Sequence, residues 1–275
     1  MVVDRENHYL GVLPLTELLV RESGSTVGAW MEEEAHLSAD TAKSDVAKLF
    51  EQRDLVSAAV IDDEGHLLGR ITIDDVVDVI QEAAEQAVRS MAGLGEDDMF
   101  SPVLITTKRR AIWLGINLLT AFLASWVIGR FEDTIHELVT LAILMPVVAG
   151  MGGIAGSQTL TVAIRGIAVG QIVRTNIKPL LIKELTVGIL NGILWSCVVA
   201  TIVIFWFDDF LLGLVIGISI IINFIIAAFA GASIPIVMKH SGIDPAIAGV
   251  VILTTVTDVV GFITFLGLAT IFLVT

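Results

Sequence analysis

A single carboxylate, Asp258, stands inside the long apolar run 246–274, in which no other side chain is ionisable. The run is long enough to cross a bilayer. A carboxylate near the middle of a membrane costs about 2.5 kcal/mol or more, so it needs a partner, water or an ion. Two interpretations follow: a hydrogen bond or ion pair between helices, or a functional site for a cation. The second is favoured because no lysine or arginine lies at a similar depth in the other apolar runs.

A second set of carboxylates recurs at helical spacing, at Asp75, Asp78, Glu82 and Glu85. Intervals of three and four residues place them on one face of a helix that is predicted to run from 74 to 91. Like charges at this spacing repel each other by about 0.2–0.5 kcal/mol per pair. Either a divalent cation relieves that repulsion, especially one that binds across a dimer, or the face is simply solvated.

These two sets of acids belong to halves of different composition. The chain has 275 residues, of which 55% are hydrophobic, a mean hydropathy of +0.85 and a formal net charge of -14. The apolar excess lies after Arg110, so a polar domain precedes a membrane domain. The acidic polar half suits cations, and it suits neither nucleic acid nor an anionic lipid surface.

Five apolar segments of the membrane half reach the length of about 20 residues that a spanning helix needs. They lie at 111–128, 138–164, 185–207, 210–237 and 247–274. Lysine and arginine concentrate before the first segment, between the second and third, and between the fourth and fifth, which predicts that those parts are cytoplasmic. We therefore expect a multi-pass protein of the plasma (inner) membrane, surrounded by lipid, with a cytoplasmic N-terminal domain and the C-terminus outside.

The second apolar segment contains Pro146, which is followed by a glycine-rich stretch up to Gln158. Proline removes a backbone donor, and glycine lets another backbone approach closely. The stretch is predicted either to pack helices together or to present carbonyls to a water-filled path. Gln158, Asn191 and Asn223 add polar groups, which link helices more often than they touch a substrate.

An internal repeat organises the polar half, because residues 2–19 match residues 60–77 without a gap. Each copy is predicted to form a strand, an acidic turn, a strand and a helix. Residues 27–82 resemble a cystathionine-β-synthase (CBS) module, a type of module that occurs in tandem. The first copy corresponds only to the second half of such a module. The chain is therefore expected to be the C-terminal part of a longer protein or a truncated reading frame.

The predicted fold is an α-helical membrane protein with five transmembrane helices per subunit, preceded by an α/β CBS module. The predicted domains are the second half of a first CBS module (1–24), a CBS module (25–80), an acidic connecting helix with a linker (81–109) and a five-helix transmembrane pore domain (110–275).

The CBS resemblance also implies a nucleotide site. Some CBS modules bind adenine nucleotides through the pattern Gly-x-x-Thr-x-x-Asp, which Gly69, Thr72 and Asp75 fit. The threonine hydroxyl would then contact phosphate, the aspartate would contact the ribose hydroxyls, and ATP is an expected ligand. The alternative is that Asp74 acts as the N-cap of the following helix, which explains much of the same pattern.

Taken as a whole, the chain resembles the MgtE family of magnesium channels. The motifs that carry this resemblance lie at 91–93, 146–158, 165–166, 242–246 and 254–262. The resemblance implies a homodimer with five spans per subunit and one pore on its two-fold axis. It implies that Asp258 of both subunits holds a hydrated Mg²⁺, with backbone carbonyls of Thr254 and Gly261 as further contributors.

The same resemblance assigns a gating role to the acidic helix. The segment through Asp78, Glu82 and Glu85 would be a plug that intracellular Mg²⁺ holds shut by neutralising acidic faces. Several residues depart from the family pattern: Ile154 stands where an asparagine is usual and Gln171 where a glutamate is common. On the acidic helix, relatives often have acids at the positions of Gln81, Ala83 and Gln86. The family also has an acidic N domain before its CBS pair, which this sequence lacks.

We therefore expect a Mg²⁺-selective channel or transporter for uptake that is gated by intracellular Mg²⁺. Two alternatives stay open: a proton-coupled divalent cation transporter that uses Asp258 as its exchanging site, and a membrane-anchored Mg²⁺ or nucleotide sensor without flux. An enzyme is not expected, because the sequence offers no nucleophile–His–acid set, no phosphate loop and no pair of metal-ligand histidines.

Overall fold

The computed structural model describes residues 1–20, 24, 26–32, 36–91, 94, 101–168, 172, 175–243 and 245–274. The chain divides into two compact units, Met1–Glu85 and Gln86–Thr275, which are described separately. Residues 92, 93 and 95–100 of the predicted linker, which include the end of the motif at 91–93, lie outside the described residues, as does Gln171.

The first unit contains two small sheets. Strands β1 (Val2–Val3) and β2 (Tyr9–Gly11) form an antiparallel hairpin, followed by helix α1 (Leu15–Val20). A 3₁₀ turn (Val27–Ala29) leads to β3 (His36–Ser38), α2 (Lys43–Arg53), β4 (Ser57–Ile61), β5 (Leu67–Thr72) and α3 (Ile73–Met91), whose last residues extend into the second unit. Strand β3 pairs with β4 in parallel and β5 pairs with β4 antiparallel. A parallel pair needs a crossover, which α2 supplies.

The core of this unit lies between the three-stranded sheet and helices α2 and α3. Phe50 of α2 is almost completely buried, with Ala58 of β4 and Val76 of α3 in the same cluster. Val76 thus anchors one face of α3. The opposite face is free for the predicted row of acids, which is exposed at every position.

The predicted repeat is visible in the structure as two equivalent hairpins. In each, an aspartate accepts a backbone hydrogen bond from the histidine four residues later, from His8 to Asp4 at 2.8 Å and from His66 to Asp62 at 2.8 Å. The two hairpins pair through an antiparallel bridge between His8 and His66. Gly65 lies in the second turn with φ +87°, a backbone conformation that favours glycine.

The second unit is helical. Its elements are α4 (Val103–Gly129), the short α5 (Glu132–Glu137), α6 (Thr140–Ala168), α7 (Ile177–Phe207), α8 (Phe210–His240) and α9 (Pro245–Phe272). Five of them, α4, α6, α7, α8 and α9, are long and apolar enough to cross a membrane. The prediction of five spanning helices is confirmed, and together with its apolar composition this makes the chain a multi-pass membrane protein.

Two helices begin earlier than the apolar runs suggested. Helix α4 begins at Val103 rather than at 111, and α7 begins at Ile177 rather than at 185. The added turns carry lysine and arginine, which are good helix formers, so the helix continues past the apolar stretch into its charged flank. Helix α5 was not predicted; it contacts α9 through a 2.8 Å hydrogen bond between Thr134 Oγ1 and Thr270 Oγ1.

Helix α8 lies at the centre of the described bundle and packs against α6, α7 and α9, while α4 packs against α9. Small residues set these distances. A Cβ on Gly231 of α8 would lie 2.6 Å from the carbonyl oxygen of Gly156 on α6, and one on Gly188 of α7 would lie 2.6 Å from Cβ of Ala228 on α8. Close backbone approach of this kind is how helices associate in lipid.

Candidate cation site

Asp258 lies on α9 and is half-buried. Within the described part of the chain, no hydrogen bond or ion pair reaches its carboxylate. The neighbouring hydroxyls are used elsewhere: Thr254 and Thr257 donate to carbonyls of their own helix, at 3.0 and 3.1 Å. Among the described residues, the interpretation of Asp258 as a helix-linking hydrogen bond or ion pair therefore finds no partner. The carboxylate is available to an ion or to water.

The carboxylate faces an open cavity of about 810 Å³ between α9 and α6. Helix α9 contributes Asp258 and Thr254 to its lining. Helix α6 contributes the opposite wall, which consists of Ala149, Gly150, Gly153, Ile154, Ser157, Gln158, Thr161 and Val162. We call this cavity the Asp258 groove. Of the described residues, Asp258 is the only ionisable one that lines it, so the groove carries negative charge at one place between weakly polar walls.

The glycine-rich stretch of α6 has two faces, and these bear on the two interpretations made from the sequence, helix packing and a water-filled path. Gly150 and Gly153 line the Asp258 groove, and nothing described lies within 4 Å of a Cβ built on either. Gly152 and Gly156 point the other way, against Asn223 of α8 and Leu253 of α9. The same stretch therefore packs against other helices on one face and lines the Asp258 groove on the other.

Gly261, predicted as a carbonyl contributor, does not line the Asp258 groove. It is buried, and a Cβ on it would lie 2.8 Å from Nδ2 of Asn223 and 3.3 Å from Cγ1 of Val148. Its position therefore gives a packing reason for glycine at this point. A role of its carbonyl as an ion contact stays a prediction.

The acids of α3 do not converge on one point. Asp75, Asp78, Glu82 and Glu85 are all exposed. Glu82 lies 4.0 Å from Lys43 of α2, and Glu85 accepts a 3.1 Å hydrogen bond from Gln81. Among the described residues, these carboxylates form no group of three close enough to share an ion. A cation at this face would need ligands from outside this set.

The candidate nucleotide residues show a helix cap. Helix α3 begins at Ile73, so Thr72 is its N-cap and Asp75 its third residue. The Asp75 carboxylate accepts hydrogen bonds from the Thr72 backbone N–H at 3.1 Å and from the Thr72 hydroxyl at 3.0 Å. The first is the reciprocal half of a capping box. Capping thus involves Asp75 and Thr72, whereas the sequence had suggested Asp74 as the N-cap. Gly69 lies on β5 with open space around it.

Sequence reasoning missed a cluster in the second hairpin. Ligand atoms of Asp62, Glu64 and His66 lie within 4.8 Å of one another. The rings of His66 and His8 stack with centroids 4.5 Å apart. Hydrogen bonds from His66 hold the pKa of Asp62 below its usual value, and the bond from the His66 backbone N–H has a larger effect than the one from its side chain. His8 lowers the pKa of Asp4 in the same way. The signal was present in the repeat, where an acid, a second acid and a histidine recur at alternate positions.

Sequence reasoning also missed Glu184, a buried carboxylate near the start of α7. It is 6% exposed and accepts a 3.2 Å hydrogen bond from Thr159 Oγ1 of α6, while Lys183 lies 3.3 Å from its other oxygen. It lines a second cavity of about 440 Å³. Unlike Asp258, this carboxylate is compensated within the chain.

Comparison with known proteins identifies both halves. Residues 145–268 match the MgtE family model, described as a divalent cation transporter, and residues 27–82 match the CBS domain model. The magnesium transporter MgtE of Bacillus subtilis (strain 168) is 31% identical over 275 residues, which cover 99% of this chain and 61% of that protein. The chain thus resembles the MgtE family, by the family model over residues 145–268 and by named members over nearly its whole length. The magnesium transporter MgtE of Thermus thermophilus is 30% identical over 273 residues, 98% of this chain and 60% of that protein.

The chain thus spans about 60% of the length of these MgtE relatives. The resemblance to MgtE and to a CBS module, inferred from motifs, is confirmed. The relatives are named as transporters, in line with the expectation of a non-enzyme. The MgtE match includes Asp258, Thr254 and the whole α6 wall of the groove. Ile154, a departure from the MgtE pattern, is 62% exposed on that wall.

Proposed function

We propose that this chain conducts Mg²⁺ across the plasma membrane through a pore that two subunits form around their Asp258 grooves. The observation that carries the proposal is the Asp258 carboxylate itself, which has no partner among the described residues and faces an open groove. Its cost in a membrane needs compensation, and a cation supplies it. The match to the MgtE family model, which is described as a divalent cation transporter, supports a divalent cation as the transported ion.

The groove suits an ion that keeps its water. Mg²⁺ dehydrates reluctantly and is usually bound through one or two carboxylates while several waters remain. Gly150 and Gly153 leave room for those waters opposite Asp258. Thr254, one turn before Asp258 on the same groove face, is positioned to contribute polar atoms to the hydration shell. Few charged contacts also keep binding weak enough for release.

Charge and geometry support the proposal of a homodimer. One subunit offers one carboxylate to a divalent ion, and its groove is open on one side. A two-fold axis along the groove would bring a second Asp258 to the ion and close the path. The basic residues that flank the spans support an orientation with the N-terminal unit in the cytoplasm.

The first test is transport. In cells that lack other Mg²⁺ transporters, expression is expected to restore growth in low Mg²⁺ and to give Mg²⁺ uptake above the level of empty-vector cells. Purified protein in planar bilayers is expected to give currents that reverse at the Mg²⁺ equilibrium potential and are insensitive to a proton gradient. Currents that follow the proton gradient would support the coupled transporter instead, and purified protein without any flux would support a sensor.

We further propose that the acids of α3 sense cytoplasmic Mg²⁺ and favour a closed state. The support is their exposure as one row on a continuous helix, at spacings where like charges repel. Because no three of them converge among the described residues, the ion would be shared with acids of another domain or subunit. ATP binding at Gly69, Thr72 and Asp75 is a separate proposal, and the internal use of Thr72 and Asp75 as a cap means that a nucleotide would have to compete with it.

The sensing proposal predicts a shift in cation dependence. In the double variant Glu82→Gln, Glu85→Gln, the Mg²⁺ concentration that half-protects residues 86–95 from protease is expected to rise by about twofold or more, since each acid removed relieves a repulsion of about 0.2–0.5 kcal/mol that Mg²⁺ would otherwise relieve. Asp40→Asn, Glu51→Gln removes the same charge from exposed positions off this helix and serves as the matched control. Equal protection curves for the two double variants would count against the sensor.

A further inference from the structure

Asn223 occupies the centre of the helical unit. It lies in the middle of α8, its exposed fraction is 0%, and its side-chain Nδ2 donates a 3.0 Å hydrogen bond to the carbonyl oxygen of Val148 on α6. Its Oδ1 is buried and has no hydrogen-bond partner among the described residues. A buried amide of this kind is costly in an apolar setting. Its presence at this point therefore calls for a role that an apolar side chain would not fill.

Two glycines on two other helices face this amide. A Cβ on Gly261 of α9 would lie 2.8 Å from Nδ2, and a Cβ on Gly152 of α6 would overlap the same atom. The amide thus fills a junction of three helices, in which α6 and α9 both approach it with glycine. We call Asn223, Gly152, Gly261 and Val148 the amide junction.

The amide junction joins the same two helices, α6 and α9, that wall the Asp258 groove. Gly261 follows Asp258 by three residues on α9, which is about one helical turn. On α6, Gly152 lies between Gly150 and Gly153, which line the opposite wall. The Asn223 amide therefore fixes how far the helix that carries Asp258 stands from the wall across the groove. It also fixes the rotation of α6, through a directional bond to Val148 O.

We propose that Asn223 is a positioning residue for cation selection, which sets the width of the Asp258 groove without touching the ion. The proposal rests on the proposed function. A groove of fixed width suits Mg²⁺ with its ordered shell of waters, whereas Ca²⁺ accepts six to eight ligands in flexible geometry. A looser groove therefore admits Ca²⁺ relatively better. The same junction explains why Gly261 is a glycine, independently of any role for its carbonyl.

The test is a cycle of steric variants in the full chain, purified and reconstituted in proteoliposomes. Gly261→Ala keeps the backbone carbonyl and adds only a methyl against the amide, so it is expected to reduce Mg²⁺ uptake strongly. Asn223→Ala, Gly261→Ala makes room for that methyl and is expected to recover most of the uptake. If the carbonyl of Gly261 alone mattered, Gly261→Ala would already behave like the wild type.

The ratio of Mg²⁺ to Ca²⁺ uptake is the measurement that a purely structural role of Asn223 would leave unchanged. Asn223→Leu keeps a side chain that branches at Cγ but removes the bond to Val148 O, and it should insert readily because leucine favours the membrane. The ratio of Mg²⁺ to Ca²⁺ uptake is expected to fall by about fivefold, the change that one neutral hydrogen bond is worth. Asn191→Leu is the matched control, since the Asn191 amide donates a 3.1 Å hydrogen bond to Val187 O of its own helix; its ratio is expected to equal that of the wild type.

Three outcomes would overturn the proposal: wild-type uptake and ratio in Gly261→Ala, no recovery in the double variant, or an unchanged ratio in Asn223→Leu. The melting temperatures of the same variants in detergent report on packing at the amide junction independently of transport. If the wild-type protein carries no Mg²⁺ but the melting temperatures show loss in Gly261→Ala and recovery in the double variant, the proposed function fails while the junction stands.

Discussion

Mg²⁺ uptake is expected to fall to the level of empty-vector cells when Asp258 is replaced by alanine or asparagine. The variant removes the only ionisable group of the Asp258 groove among the described residues, and no other described side chain there can neutralise a divalent cation. Folding should be unaffected or improved, because a mid-membrane carboxylate costs about 2.5 kcal/mol or more on insertion. Uptake and detergent melting temperature, measured on the same preparations, separate lost conduction from lost protein.

The control for this loss is Asp133→Asn, which removes one carboxylate from an exposed position on α5. It is expected to keep wild-type uptake. Asp258→Glu keeps the charge and moves it by about one methylene, so it should retain some conduction with altered ion preference. Wild-type uptake by Asp258→Ala would remove Asp258 from the pore and with it the proposal as a whole.

Mixed expression is expected to show that conduction needs two intact subunits. If wild-type and Asp258→Ala chains are made in equal amounts and pair at random, about one quarter of the dimers carry two carboxylates. Mg²⁺ uptake should then fall to about one quarter of that of an equal total of wild-type chain. The expectation follows because one carboxylate leaves a divalent ion half compensated in a low-dielectric path.

Independent monomeric pores would instead give about one half in the same experiment, with the wild-type share alone conducting. Co-expression with Asp133→Asn controls for expression load and should give full uptake. Native mass spectrometry in detergent supplies the stoichiometry directly, and active monomers alone would contradict the dimer.

Much of the architecture could be predicted because membranes impose simple rules. An apolar run of spanning length has to become a helix in lipid, so five runs gave five helices. A lone acid in such a run had to be functional or paired, and Asp258 does face a groove. The repeat fixed the two hairpins, because a strand, an acidic turn and a second strand have few ways to close.

The rest depended on contacts between segments far apart in sequence. Whether Gly261 faces the groove or the bundle is decided by the rotation of α9 against α8, which no local pattern encodes. The junction at Asn223 likewise joins 148, 152, 223 and 261, whose spacing carries no period. The starts of α4 and α7 were predicted too late, because the apolar run begins only after a charged flank. The helical backbone already includes that flank. Homodimer, orientation and gating stay predictions, since each involves a second subunit or a membrane.

The close approach of Gly231 to Gly156, and of Gly188 to Ala228, has a consequence for which substitutions this protein tolerates. Exchanging one hydrocarbon neighbour for another gains little in lipid, so cohesion between these helices comes from dispersion and C–H···O contacts. A gap of about 0.5–1 Å already loses roughly a quarter to a half of the dispersion attraction. The stability of these helix contacts therefore depends on close steric fit rather than on the hydrophobicity of the side chains. One methyl at Gly231 should disturb the bundle more than a whole aromatic ring on the outward face of α4, where Leu119 is 71% exposed. In this unit, the side-chain size that each position tolerates is expected to follow the distance between the helix axes at that position.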